Sequence, residues 1–437
     1  MAEINKKALI GYIALAFPLG FVAMPIYIFA PDFYASSYGL SLATLGTIIF
    51  FNRLIDAFQD PFFGWVSDRW PNLVSPLMLG ALLVLAGSFL LLFIKGYSQP
   101  LMMFAVLTFV ITSAYSFLTI NLNALGATWA ETGKDKIRVN SARETTSMMG
   151  LVLSLFLFAQ MQQVDFDTSD FQSFAWTFVI VVSLCAFLFW SWHRQLPPRR
   201  QTASAKIVRF RETLIQLSPS LRAFYVVYGF SMLASAIPAV LVLFFVRDVL
   251  NLEEWFSYLI LLYFASGAVS VPIWRTLAVR FGALKVWSWS MIMAIVVFVW
   301  AFFLAEGALV SFVIICLGSG AAFGADMVMP PSLVAILGGC QKKQGNFAQY
   351  YSLVSFLGKM ALALATLLTF SLLDLAAFVP GAVNSSETLL FVSFLYAVLP
   401  CMLKVLALIL VFRLQASPNV KDTTCAGSSS PPLSSSV

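Results

Sequence analysis

Charged residues are scarce in this sequence. Only 11% of its 437 residues are Asp, Glu, Lys or Arg, whereas 60% are hydrophobic. A water-soluble protein carries about 25% charged residues, so this composition indicates an integral membrane protein. The formal net charge of +6 would also suit nucleic-acid binding, but the basic residues lie in loops between apolar segments, where they are a signal of membrane topology. The expected surroundings are a lipid bilayer, with no nucleic-acid partner.

Histidine is nearly absent, and the cysteines are not paired. His193 is the only histidine, and none of the five cysteines belongs to a CxxC motif. An enzyme or a metal centre needs a nucleophile beside a base, or ligands at a regular spacing, and the sequence has neither. We therefore predict a protein that is not an enzyme and that has no cofactor, no disulfide framework and no metal centre built from histidine or cysteine.

Long apolar segments are abundant instead. A helix of about 20 apolar residues crosses the hydrocarbon core of a bilayer. The sequence contains twelve such runs, at roughly 9–30, 42–66, 74–94, 100–127, 142–162, 173–193, 222–246, 256–278, 285–305, 308–336, 347–373 and 388–412. An all-α integral membrane protein with twelve transmembrane helices is therefore predicted.

Two polar segments divide the chain. Residues 194–219 are basic and contain a proline pair, and they separate two six-helix halves at 1–193 and 220–414. Two such halves are typical of the major facilitator fold. Residues 415–437 cannot bury an apolar surface and are predicted to be a disordered cytoplasmic tail. The basic loops fall on the side that carries the linker and both chain ends, so both termini are predicted to be cytoplasmic.

The charged residues within the apolar runs concentrate in one segment, residues 51–69, which reads FNRLIDAFQDPFFGWVSDR. On a helix, Arg53, Asp56 and Asp60 lie on one face, within about 60°. An ionised group at the centre of a bilayer costs at least about 2.5–3.5 kcal/mol, so such a cluster is by default a functional site. The alternative is that the charges only pair and lock a helix bundle. Two carboxylates against one arginine favour the functional interpretation.

A weak internal repeat supports that interpretation. Pro61 precedes Arg69 by eight residues, and Pro272 precedes Arg280 by the same interval. The positions of the second half that correspond to the charged cluster are uncharged. The carboxylates are therefore expected to serve a chemical role that is specific to the first half.

Four segments carry a family resemblance. RLIDAFQDPFFGWVSDR (53–69) resembles the helix-2 signature of the glycoside–pentoside–hexuronide:cation symporters, the family of the bacterial melibiose carrier. Three further segments resemble the same family in the expected order: NALGATWAETGKDKIRVNSARE (123–144), GADMVMPPSLVA (324–335) and FLGKMALAL (356–364). The resemblance implies a symporter, monomeric and multi-pass in a bacterial-type inner (plasma) membrane, that couples a small organic solute to Na⁺ or H⁺ by alternating access.

The resemblance also implies roles for single residues. The coupling cation would be bound by Asp56, Asp60, Gln59 and Ser116. Its charge partners would be Arg53 and Lys359. The substrate cavity would be lined by Arg143, Gly20, Thr119, Asn123 and Tyr27. The gate would be formed by Gly64, Asp68, Arg69 and Asp326. Carboxylate and hydroxyl oxygens suit a hard cation, which agrees with the first of these sets.

The departures from the family bear on the substrate. Two positions that carry sugar-binding acids in the family fall on Gly20 and Thr119, and a nearby aromatic position falls on Asn123. The loss of two carboxylates argues against a melibiose-like sugar. A sugar or glycoside is one candidate solute, and the alternative is a lysolipid-like or other amphiphilic substrate.

Simpler roles stay open for single residues. Lys359 could snorkel to an interface, and Arg143 could be a topological anchor. Asp326 could contact the substrate rather than form a gate, or it could cap a helix break. A receptor or scaffold that keeps the carrier fold is the rival class, and it predicts no solute flux.

Overall fold

The structure of the protein is a computed structural model that describes residues 6–27, 29–161, 168–194, 215, 217–340 and 346–416. All regular secondary structure within these ranges is helical. The predicted linker and tail lie almost entirely outside the described residues. The last helix continues to Ala416, two residues beyond the predicted end of the second half.

The helices of the first half form one broken rod and five long ones. Their bounds are α1 (Lys6–Ile13), α2 (Ala16–Ala23), α3 (Phe29–Tyr38), α4 (Leu42–Arg69), α5 (Pro71–Leu92), α6 (Pro100–Trp129), α7 (Gly133–Met161) and α8 (Thr168–His193). The charged helix α4 begins where the Ser41 hydroxyl accepts a hydrogen bond from the Thr44 amide at 3.2 Å. It ends just before Pro71, which opens α5 because proline is tolerated in a first helical turn.

The helices of the second half follow the same plan. Their bounds are α9 (Pro219–Phe244), α10 (Phe256–Phe281), α11 (Ala283–Phe298), α12 (Leu309–Gly339), α13 (Phe347–Leu375), α14 (Ser386–Ser393) and α15 (Leu399–Ala416). A π-helical turn continues α9 at Phe245–Val249, and another joins α14 to α15 at Phe394–Val398. A short 3₁₀ segment, Val299–Phe303, continues α11.

Ten of the described helical spans are long and apolar enough to cross a membrane. Helices α4 and α7 are also long, with 28 and 29 residues, but charged and polar side chains interrupt them. These two helices carry the cluster at residues 51–69 and the predicted cavity residue Arg143. The count of twelve membrane-spanning helices and the cytoplasmic location of both termini stay predictions.

Matching helices of the two halves pack in matching ways. Helix α4 packs against α6 of its own half and against α13 of the other. Its counterpart α10 packs against α12 and against α7. The halves therefore meet along two long helix pairs, α4 with α13 and α7 with α10. The charged face of α4 lies in the first of these interfaces.

Gly20 lies at a helix crossing rather than at a cavity wall. A Cβ atom on Gly20 would come within 1.8 Å of the Ser147 carbonyl oxygen, and one on Gly150 within 2.1 Å of the Phe17 carbonyl oxygen. The two glycines let α2 and α7 approach closely, as small residues do between membrane helices. The expectation that Gly20 lines the substrate cavity is thus corrected by the packing of these two helices.

Candidate functional site

The centre of the site is a buried cluster of two carboxylates and one ammonium group. Asp56 and Asp60, one helical turn apart on α4, are 3% and 0% exposed. Lys359 reaches them from α13 and places its Nζ 2.7 Å from Asp56 Oδ2 and 2.7 Å from Asp60 Oδ2. The spacing of four residues stacks the carboxylates on the face of α4 that meets α13. Lys359 is therefore shared between them and does not snorkel to a membrane surface.

Hydroxyl and amide groups complete the cluster. The Ser116 hydroxyl donates to Asp56 Oδ1 at 2.9 Å and accepts from Lys359 Nζ at 2.7 Å. The Gln59 side-chain amide donates to the same Asp56 oxygen at 2.7 Å and to the Ser113 hydroxyl at 3.0 Å. All four predicted cation-site residues thus lie together with Lys359. Ser113 is a neighbour that the sequence did not single out.

The charges of this cluster do not cancel. With both carboxylates ionised, Lys359 neutralises one of them and leaves one negative charge buried between the halves. An unpaired buried charge is costly, and a protein relieves that cost by binding a counter-ion or a proton. The oxygen atoms of Asp56, Asp60, Gln59 and Ser116 are of the kind that a hard cation prefers. The cluster can therefore take up one further positive charge.

Arg53 is placed differently from its predicted position. Its guanidinium carbon lies 3.8 Å above the centre of the Tyr27 ring, which is a close cation–π contact. Among the residues that the structure describes, Arg53 makes no ion pair with Asp56 or Asp60. The three residues share a helix face, but only the carboxylates point at Lys359. The expectation that Arg53 is their charge partner is corrected for this state of the protein.

A large cavity adjoins the cluster. Its volume is about 410 Å³, within the usual range of about 300–1,000 Å³ for small-molecule sites. Its walls are mainly apolar and aromatic and come mostly from the second half. Arg53 enters the cavity from the first half, and a smaller cavity next to it is lined by both Arg53 and Lys359. The larger cavity is therefore connected to the charged cluster through the side chains of Arg53 and Lys359 that line the smaller one.

None of the five predicted cavity residues belongs to the lining of this cavity: Gly20 lies at the helix crossing, Tyr27 lies under Arg53, and Arg143, Thr119 and Asn123 lie elsewhere. Arg143 is 4% exposed and pairs with its neighbour Glu144. Arg143 Nη1, Thr119 Oγ1 and Asn123 Oδ1 are buried and have no hydrogen-bond partner among the described residues. Polar atoms without a protein partner can form hydrogen bonds with a solute. The predicted role of these three residues in substrate binding stays a prediction.

A second buried ion pair lies in the wall of the large cavity. Lys404 Nζ on α15 is 2.5 Å from Asp326 Oδ2 on α12. The Trp287 indole donates to the other Asp326 oxygen at 2.8 Å, and the Ser231 hydroxyl accepts from Lys404 at 3.0 Å. Asp326 therefore sits inside the second half and not at a gate between the halves. Sequence reasoning missed Lys404, although a lysine near the middle of the last apolar run was the available signal.

This ion pair gives a prediction about stability. Lys404→Met leaves a buried carboxylate without its partner, and loss of one member of a buried pair costs about 3–5 kcal/mol. The double variant Asp326→Asn/Lys404→Met removes both charges and should recover most of that loss. Denaturant unfolding of the purified protein measures both effects, with exposed Lys285→Met as the control. Equal stability of the single variant and the control would contradict the prediction.

The two halves are in contact, and so closed, at the end of the bundle where α1 begins and α15 ends, next to the predicted gate residues Gly64 and Asp68. The two oxygens of the Asp68 carboxylate accept from the backbone amides of Ala348 and Gln349 at 3.3 and 2.9 Å, at the first turn of α13. A negative charge at a helix N-terminus is stabilising. A Cβ atom on Gly64 would lie 2.5 Å from the Ser352 hydroxyl, so glycine allows this close approach of α4 and α13. Arg69 lies against the Trp70 ring beside this contact.

Lys136 makes the complementary contact. Its Nζ donates to the Ala335 carbonyl at 2.8 Å, in the last turns of α12. A positive charge at a helix C-terminus is stabilising, as a negative one is at the N-terminus. The first half thus contacts both the C-terminal end of α12 and the N-terminal end of α13. No local sequence pattern indicates this contact, because the partner of Lys136 is a backbone carbonyl 199 residues away.

The fold and the buried cluster together define a membrane transporter with two helical halves around a central cavity. A family model described as MFS/sugar transport protein matches residues 9–417. The chain belongs to this transporter family, which includes melibiose-carrier-like symporters and is not enzymatic. The expected family and the expectation of a non-enzyme are both confirmed. Over 430 residues the chain is 22% identical to the uncharacterized symporter YnaJ of Bacillus subtilis (strain 168), covering 93% of this chain and 91% of that protein.

Solved structures show the same fold at low sequence identity. A bacterial homologue of the iron transporter ferroportin, in an outward-facing state, matches with a TM-score of 0.70 at 14% identity and covers 95% of this chain and 100% of that chain. The E. coli fucose:proton symporter matches with a TM-score of 0.66 at 14% identity and covers 94% and 98%. The all-helical major facilitator fold predicted from the sequence is confirmed.

Proposed function

We propose that the protein is a symporter that couples one cation, Na⁺ or H⁺, to the movement of a small organic solute. The observation that carries this proposal is the charge imbalance at Asp56, Asp60 and Lys359. A cluster that needs one more positive charge, at the interface of two moving halves and beside a cavity, is suited to coupling. The names of a relative and a structural neighbour, a symporter and a fucose:proton symporter, support the same class.

The proposed membrane arrangement follows the loop charges. We place twelve spans in the plasma (inner) membrane, with both termini in the cytoplasm and the protein acting as a monomer. The closed end at Asp68 and Lys136 then faces the cytoplasm, and the cavity belongs to an outward-facing state. Three outward-facing structures among the neighbours have a similar fold.

The proposed cycle exchanges Lys359 for the cation. Without a cation, Lys359 bridges Asp56 and Asp60 from the other half. A bound cation weakens that bridge because it supplies the missing charge, and the two halves can then close over the solute. Coupling requires that cation and solute strengthen each other's binding, by about 1–3 kcal/mol in typical linked systems, and the effect is reciprocal.

The solute is proposed to be a small organic molecule, with a sugar or glycoside as one candidate. One observation favours the amphiphilic alternative: the large cavity is walled by aromatic side chains such as Tyr263, Phe298 and Phe323. A sugar ring needs several polar partners, because each buried hydroxyl left without one is costly.

Cation binding can be tested without a known solute. A ligand that binds only the folded state stabilises it by about 2.7 kcal/mol at 100 times its dissociation constant. We expect the thermal unfolding temperature of the wild type to rise with Na⁺ relative to K⁺, or to depend on pH between about 5 and 8 in a way that Asp56→Asn/Asp60→Asn removes. A double variant with the same Na⁺ and pH responses as the wild type would contradict the cation site.

A further inference from the structure

The large cavity combines an apolar wall with very few charges. Three side chains that are normally charged at neutral pH line it: Arg53, Asp326 and Lys404. Asp326 and Lys404 neutralise each other through a contact of 2.5 Å, and further donors and acceptors satisfy both of them. The net charge of the cavity wall is therefore that of Arg53, one positive charge.

Arg53 is free to bind a ligand. In the part of the chain that the structure describes it has no carboxylate partner, and the Tyr27 ring supports only one face of its guanidinium. A guanidinium offers five N–H donors in a planar fork that fits a carboxylate or a phosphate through two parallel hydrogen bonds. The donors of Arg53 are thus available in the wall of an aromatic cavity.

We propose that the solute is an amphipathic monoanion, whose apolar body occupies the aromatic cavity and whose single anionic group binds Arg53. This inference rests on the proposed transport function and names the substrate class of the same cavity. The volume of about 410 Å³ fits a small molecule rather than a lipid with long chains.

The position of Arg53 also explains how such a solute would be coupled to the cation. Arg53 and Leu362 line both the large cavity and the smaller one beside it, and Lys359 lines the smaller one. An anion on Arg53 would therefore lie close to the cluster of Asp56, Asp60 and Lys359. A cation bound at the cluster favours a nearby anion, and the anion favours the cation, so binding of one promotes the other.

The test uses three probes with one body and three charges: 4-phenylbutanoate, its amide and 4-phenylbutan-1-amine. Their binding to the purified protein in nanodiscs is measured by competition and by thermal shift. The carboxylate should bind at least about tenfold more tightly than the amide, because charge-assisted hydrogen bonds are roughly twice as strong as neutral ones. The amine should bind no better than the amide.

Two variants separate Arg53 from the ion pair. Arg53→Gln makes the cavity wall neutral and should abolish the preference for the carboxylate. Asp326→Asn/Lys404→Met removes two opposite charges, leaves the net charge unchanged, and should keep the preference. Arg413→Gln, at an exposed position outside the cavity, is the matched control.

The outcomes distinguish this proposal from the transport proposal. Equal binding of the carboxylate and the amide, binding of none of the three probes, or an unchanged preference in Arg53→Gln would overturn the monoanion. A carboxylate preference that persists but does not respond to Na⁺, to pH or to Asp56→Asn would leave the monoanion standing and contradict cation coupling.

Discussion

Replacing Asp56 or Asp60 with asparagine should abolish solute accumulation driven by a cation gradient in proteoliposomes. Either change leaves one carboxylate opposite Lys359, a neutral pair that no longer attracts a further cation. The fold should survive, since Lys359 keeps one charged partner at 2.7 Å in each variant. Accumulation should fall to that of liposomes without a gradient, whereas exchange of labelled for unlabelled solute at equal concentrations should continue.

A matched control separates this effect from a general loss of carboxylate charge. Asp32 lies exposed in α3, at the other end of the first half, so Asp32→Asn should accumulate solute as the wild type does. Full gradient-driven accumulation in both Asp56→Asn and Asp60→Asn would show that the coupling cation binds elsewhere. Loss of exchange together with accumulation would indicate damage to the carrier rather than to coupling.

The double variant Asp68→Asn/Lys136→Met should open the closed end of the bundle. Asp68 holds the first turn of α13, and Lys136 holds the last turns of α12. Each charge at a helix end contributes about 0.3–1 kcal/mol, and up to about 2 kcal/mol when partly buried. Their joint loss should therefore raise the ratio of molecules open at this end to molecules closed at this end by about tenfold or more.

Spin labels can measure this shift. Asn72 in α5 and Lys285 in α11 are exposed and lie near that end in different halves, and exposed Cys340 is replaced by serine in the labelled protein. The distance distribution between the labels should gain a longer component in the double variant. Arg138→Gln, an exposed charge at the same end, should leave it unchanged. An identical distribution in the double variant and the wild type would mean that these contacts do not hold the gate.

The charged face of α4 was largely predictable from the sequence. Helical spacing alone puts Asp56 and Asp60 on one side, and a lysine deep in the α13 segment supplies the positive charge that pairs with both of them. The same helical spacing did not predict the partner of Arg53. It groups residues by direction but does not say which neighbour each side chain reaches, and Tyr27 offered Arg53 a closer partner than the carboxylates.

Contacts between distant helices account for most of what the sequence did not reveal. Asp326 and Lys404 are separated by 78 residues, and no local pattern links them. Gly20 was assigned to the cavity through a family position, but the contact with Ser147 shows that it serves the crossing of α2 and α7. Such pairings depend on how the helices pack against each other. The apolar pattern of the sequence predicts the fold class but not these individual contacts.

We propose that one cation moves with each solute, and a measurement of the reversal point of transport tests this stoichiometry. Proteoliposomes at zero membrane potential are given a cation gradient of about tenfold, worth about 1.4 kcal/mol, and the solute gradient that stops net flux is determined. We expect an opposing solute gradient of about tenfold for Na⁺ or for H⁺, because the cluster lacks one positive charge and so binds one cation. Zero net flux at equal solute concentrations, whatever gradient of either cation is imposed, would contradict it.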